Sequence, residues 1–143
     1  MRIKFYSLIL TALIVLIQGC GLSQQTHNVS PYFDGVLKMN ALPLGNTKIL
    51  LSTEEKDSQC FKAAQTAFTD SNGRFSLQPV KESYRYIPFM NYEFKQWTLC
   101  AIHNDQRYTL YRNNSYSTQH INESIILDCD LSKPLDRLCR PRL

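Results

Sequence analysis

The chain has 143 residues, 16 Lys and Arg against 12 Asp and Glu, a net charge of +4 and 43% hydrophobic residues. That length supports one domain with a real core, and the near-balance of interspersed charges argues against a nucleic-acid binder. Five cysteines point instead to export.

Residues 1–19 read as a signal segment. Arg2 and Lys4 form a cationic head, and Phe5 to Ile17 is thirteen residues in which only Ser7 and Thr11 are polar. This run is too short to span a bilayer comfortably and suits a signal-peptide core. Gly19 directly before Cys20 resembles the bacterial lipobox, in which cleavage leaves a diacylated cysteine as the new N-terminus. The resemblance implies Cys20 as the lipidation (palmitate) site, with two or three chains anchoring firmly where one would be marginal. Gly21, not aspartate, follows Cys20; resemblance to Gram-negative lipoproteins then implies an outer-membrane protein facing the periplasm. The expected mature product has 124 residues and, without Arg2 and Lys4, a charge of +2.

Residues 20–30 (CGLSQQTHNVS) are polar and aperiodic, which predicts a lipidated flexible tether. Residues 31–143 form the expected domain. Alternation over Tyr32 to Met39 places Phe33, Gly35, Leu37 and Met39 on one face of a half-buried strand. Pro43 and Gly45 punctuate a turn before the aliphatic strand Thr47 to Thr53. A charged loop, 54–58, leads to Cys60 to Phe68, in which Ala63-Ala64-Gln65 could equally begin a helical turn. Asp70-Ser71-Asn72-Gly73 then predicts a β-hairpin: Asp70 and Asn72 bond local backbone, and Gly73 takes positive φ.

Pro79 and Pro88 argue for a long loop over 78–91. Tyr92 to Ile102 reads as an inner strand with Trp97, Leu99 and Ala101 on one face and Thr98 and Cys100 on the other. Asn104-Asp105 turns into Arg107 to Arg112, completing a second hairpin, and 113–119 is a polar loop. Ile121 to Leu131 brings the last strand before a tail. About seven short strands with turn chemistry between them predict an all-β sandwich.

Beyond Cys20, the even set Cys60, Cys100, Cys129 and Cys139 predicts two disulfides. Four cysteines allow three connectivities; the closeness of Cys129 and Cys139, with Pro134 in the turn between, favours Cys60–Cys100 with Cys129–Cys139. No Cys-x-x-Cys pair occurs and His27, His103 and His120 are scattered, so no metal or other cofactor is expected.

Residues 32–80 resemble the carboxypeptidase regulatory-like, or transthyretin-like (prealbumin-like), domain of exported bacterial proteins. The pattern falls on Gly35, on Pro43 and Leu44, on Ile49 to Leu51, and on Thr69, Asp70, Gly73 and Phe75. The resemblance implies a Greek-key sandwich in which these are structural turn residues, and a scaffold or binding surface rather than an enzyme. A hydrolase in the wider fold class ends in Tyr-Arg-Gly-Ser, which this chain lacks.

The remaining chemistry has plain explanations. The histidines lack a paired acid or nucleophile at a known spacing. Asp128 and Asp130 could serve acid-base chemistry or calcium, but suit a solvated strand. The Asp70 turn lacks the later ligands of a calcium loop. Tyr84, Tyr86, Phe89, Tyr92, Phe94 and Trp97 are expected as core and cover, or as a protein-binding patch where exposed. The sequons at Asn28, Asn113 and Asn122 matter only on a eukaryotic route. Arg137, Arg140 and Arg142 read as a solvated basic tail, or as a contact with acidic lipid or glycan. The expected function is a non-catalytic, lipid-anchored envelope protein, its partners the membrane and another protein. The alternative is an immunity or inhibitor lipoprotein that neutralises a toxic enzyme.

Overall fold

A computed structural model of the chain describes residues 24–85, 96–113 and 121–142. The signal segment, Cys20, His120 and the aromatics Tyr86, Phe89, Tyr92 and Phe94 lie outside the described residues. Among them the chain is all-β, without an α-helix: β1 (Gln24–Asn28), β2 (Tyr32–Met39), β3 (Leu42–Pro43), β4 (Lys48–Ser52), β5 (Gln65–Phe68), β6 (Arg74–Leu77), β7 (Lys81–Arg85), β8 (Thr98–His103), β9 (Gln106–Arg112), β10 (Ser124–Asp130) and β11 (Cys139–Arg142).

Contacts divide the chain into two units. Among the described residues, one contains 24–26 and 83–85, and the other 27–82, 96–113 and 121–142. Strands β1 and β7 pair in a two-stranded sheet. Both differ from the sequence reading, which expects a flexible tether and a loop. Pro79 precedes β7 instead of interrupting it, and backbone that can pair does so even without an apolar pattern. Val29 and Ser30, assigned to the tether, are buried. Val29 donates to Val80 O at 2.8 Å, and Val80 N donates to Ser30 Oγ at 2.9 Å.

Two larger sheets make the sandwich-like body of the second unit. In the first, β2 pairs in parallel with β10, β10 pairs with β11, and the other edge of β2 is shared by β6 and β3. The second runs β5-β4-β8-β9, all antiparallel. Phe33, Leu37, Phe75, Leu77 and Leu127 from one sheet meet Ile49, Leu51, Leu99, Ala101 and Leu110 from the other. Each large side chain fully buried in this way contributes about 1.5–3 kcal/mol. Trp97 belongs to this core: it is 4% exposed, edge-on to Phe33 at 5.0 Å and stacked on Tyr111 at 5.7 Å.

The turn at Asp70–Gly73 forms as its residues dictate. Gly73 has φ +73° and donates to Asp70 O at 2.9 Å, and Asp70 Oδ1 accepts from the amides of Asn72 and Arg74, both at 2.8 Å. The expected β-hairpin, however, is a corner between sheets. Strand β5 pairs with β4 while β6 crosses to β2. The register explains the crossing. Phe75 lies opposite Gly35, and a Cβ at Gly35 would stand 2.5 Å from the Phe75 ring. Only a glycine there leaves room for the ring against β2.

The other motif residues secure this corner. Thr69 is buried, accepts from Thr47 N at 2.9 Å and donates to Leu44 O at 2.6 Å. Pro43 pairs with Lys38 in the short β3. At Asn104-Asp105 the structure keeps a true hairpin, both residues at positive φ (50° and 60°) between β8 and β9. The basic tail is ordered: after a 3-10 turn at Leu135–Arg137 it becomes β11, an edge strand in which Pro141 is tolerated.

Candidate functional site

Two surface features are assembled by cross-links. The first is the loop 53–64 over the outward face of the β4-β8 sheet. Strand β4 is buried at Ile49, Leu50, Leu51 and Ser52 alike, hence on both faces. The main core covers Ile49 and Leu51; Leu50 meets Cys60 and Cys100, with Ile102 alongside, in a small outer cluster. The Cys60–Cys100 disulfide holds the loop down, its Cα atoms 6.2 Å apart.

Asp57 shapes that loop. It accepts from Phe61 N at 2.9 Å, from Lys62 N at 2.8 Å and from the Ser52 hydroxyl at 2.8 Å. Burial pushes its pKa up, but those hydrogen bonds, with one from the Gln59 backbone, outweigh it and leave the carboxyl below its ordinary value. Strand β9 satisfies the loop carbonyls: Thr109 donates to Ser58 O at 2.6 Å, and Arg107 to Gln59 O and Cys60 O at 3.1 and 3.2 Å.

The outcome is a presented aromatic. Phe61 is 70% exposed, its backbone fixed by the Asp57 carboxylate and the neighbouring disulfide, and the Arg107 guanidinium sits 4.8 Å from its ring centroid. A large apolar ring held in water by a rigid frame, with an arginine over its face, is the kind of anchor that protein interfaces use.

The second feature lies across β2, β10 and β11. Register places Lys38 beside Asp130 and Arg140 beside Asp128, with Cys129 on the alternate, inward side. Asp128 is bound on both oxygens, by Lys38 Nζ at 2.9 Å and Arg142 Nη2 at 2.8 Å. Arg142 and then Lys38 hold its carboxyl below the ordinary range against the opposing effect of burial. Asp130 accepts from the Ser132 hydroxyl at 2.6 Å and its amide at 3.0 Å, and is likewise lowered, chiefly by that hydroxyl. An open cleft of about 460 Å³ runs along this face. Cys129 and Cys139 are bonded beneath it, directly opposed in the β10-β11 ladder with Cα atoms 4.0 Å apart. Asp130 N donates to Leu138 O at 2.8 Å, so the cysteines form the closely spaced, non-hydrogen-bonded kind of pair.

The structure therefore separates the residues singled out in the sequence. Gly35, Pro43, Thr69, Asp70, Gly73 and Phe75 gather at the sheet-to-sheet corner. Asp128 and Asp130 share a face with cations, and no group of three His, Cys, Asp or Glu suited to a metal occurs among the described residues. His103 ends β8 opposite Gln106. Sequence reasoning missed Phe61, Arg107, Lys38 and Lys133. The available signals were an aromatic beside a cysteine in a charged loop, and lysine on the polar side of an alternating strand.

These features define a small, all-β, disulfide-stapled module. Residues 33–134 match the family described as "Domain of unknown function (DUF6795)", and the chain belongs to that family. No curated protein and no solved structure matches it.

Proposed function

We propose that the chain is a non-catalytic, lipid-anchored protein of the bacterial envelope that binds a protein partner through the loop 53–64. The observation that carries this reading is Phe61, exposed yet fixed between Asp57, the Cys60–Cys100 bond and Arg107. A loop frozen before binding loses little entropy on docking. The lipobox-like Gly19-Cys20 supports anchoring through acylated Cys20, and Gly21 supports the outer membrane facing the periplasm. The sandwich-like sheets and the corner at Gly35, Phe75 and Gly73 support a transthyretin-like, Greek-key classification. The same Phe61-Arg107 anchor suits an immunity or inhibitor lipoprotein, in which case the partner is a toxic enzyme.

Tagged full-length chain, purified from source-organism membranes, is expected to co-purify one partner that Phe61→Ala and Arg107→Ala each deplete about tenfold, as loss of an interface anchor does. A partner retained equally by both variants would refute the role of the loop. Labelled palmitate is expected in wild type and not in Cys20→Ala; equal labelling would refute the anchor.

A further inference from the structure

The geometry points to the cleft over β2, β10 and β11 as a binding site for a phosphoryl-bearing anion, distinct from the Phe61 loop. Cations converge on it from separate segments: Lys38 from β2, Lys133 and Arg137 from the connection between β10 and β11, and Arg140 and Arg142 from β11. Among the described residues, Asp128 and Asp130 are the acidic groups that line the cleft with those five, a formal balance of +3.

Five cations outweigh the two carboxylates on this face, and Asp128 is directly offset by two of them. Asp128 is occupied on both oxygens by Lys38 and Arg142, so that group is itself net positive, and Asp130 is engaged by Ser132. Arg140, by contrast, makes no side-chain hydrogen bond or ion pair among the described residues, and it lies opposite Asp128 on the cleft face. Gathering like charges costs folding energy that an ordinary interspersed surface avoids. The Cys129–Cys139 bond and Pro141 hold the cationic strand in place without a ligand, which is how an anion site is kept ready.

The ligand class follows from charge and size. A phosphomonoester carries about −1.5 to −2 at neutral pH and a phosphodiester about −1, and both offer oxygens that arginine forks bind in pairs, so a phosphoryl group suits this +3 lining. A cleft of about 460 Å³ falls in the range of small-molecule sites, which suits a phosphorylated sugar or headgroup better than phosphate alone.

The test titrates full-length protein in detergent micelles with three soluble probes: inorganic pyrophosphate, glucose 6-phosphate, and glycerophosphoglycerol as the deacylated headgroup of phosphatidylglycerol. Calorimetry is expected to find saturable binding of pyrophosphate that weakens as salt rises. Preference for glucose 6-phosphate identifies a sugar-phosphate source, and preference for glycerophosphoglycerol a lipid source. The double substitution Lys133→Ala and Arg140→Ala is expected to weaken binding at least about tenfold, as the loss of charge-assisted hydrogen bonds does. Arg140→Lys should lose less, and Lys48→Ala, an exposed cation on the other sheet, nothing. Both altered residues are exposed, and an unchanged melting temperature confirms that the double variant folds. No binding of any probe, or equal binding by wild type and the double variant, would overturn the proposal.

Discussion

The Cys60–Cys100 bond spans 40 residues and fastens an irregular loop over a strand that would otherwise show Leu50 to water, whereas Cys129–Cys139 spans 10 and joins residues already facing each other across two strands. One cross-link creates a covered surface; the other fixes the register of a charged edge. The difference extends to what each displays. The loop presents an aromatic anchored by one carboxylate and one arginine, and the face at β2, β10 and β11 presents a row of cations about two carboxylates. Cross-linking serves rigidity in both, and the surface chemistry on top decides what each can bind.

Breaking the longer link should cost most. Cys60→Ser with Cys100→Ser is expected to lower unfolding free energy by about 4 kcal/mol from loop entropy, measured by denaturant titration, and to raise amide exchange across 53–64. Breaking the shorter link with Cys129→Ser and Cys139→Ser should cost about 3 kcal/mol and leave exchange in the 53–64 loop unchanged. Loss of protection in both regions from either pair would show that the two are not independent. Asp57→Ala should follow, at about 1–2 kcal/mol, because two amides and a hydroxyl lose their acceptor at a partly covered site. Asp128→Asn should cost under about 1 kcal/mol, since Asp128 is 33% and Arg142 58% exposed and solvent screens the pairs.

Acid sharpens the same contrast. The folded-state pKa values of Asp57 and Asp128 are lowered, so each contributes stability above the ordinary carboxylate value of about 3.9 that is lost as pH falls through the lowered folded value. Below pH of about 4, wild type should weaken more steeply than Asp57→Asn, as followed by denaturant midpoints across pH. Identical pH profiles for the two would contradict the assignment of Asp57.

Much of the body was legible because alternation forces it. Phe33, Gly35 and Leu37 on one side of β2, and Trp97, Leu99 and Ala101 on one side of the chain entering β8, are inward as their spacing demands. The Asp70 turn was legible as a turn but not as a corner, because turn residues fix local backbone and leave the choice of strand partner to long-range packing. That choice lies in the Phe75-Gly35 pair, 40 positions apart. Strands β1 and β7 carry no strong apolar rhythm and form by pairing with each other. Phe61 was hidden for a related reason: its exposure is set by a carboxylate and a disulfide that only the folded chain brings beside it. The cationic cleft was half visible, as three arginines in a tail whose register with Lys38 no spacing reveals.

The central claim, a protein partner held at the pinned loop, is tested most directly by photo-crosslinking in intact cells. A benzophenone amino acid would replace Phe61 in one experiment and the exposed Lys48 at the start of β4 in another. The account predicts one discrete crosslinked species at position 61, absent at position 48 and lost when Cys20 is replaced by alanine. The same species from both positions, or none from position 61, would contradict it.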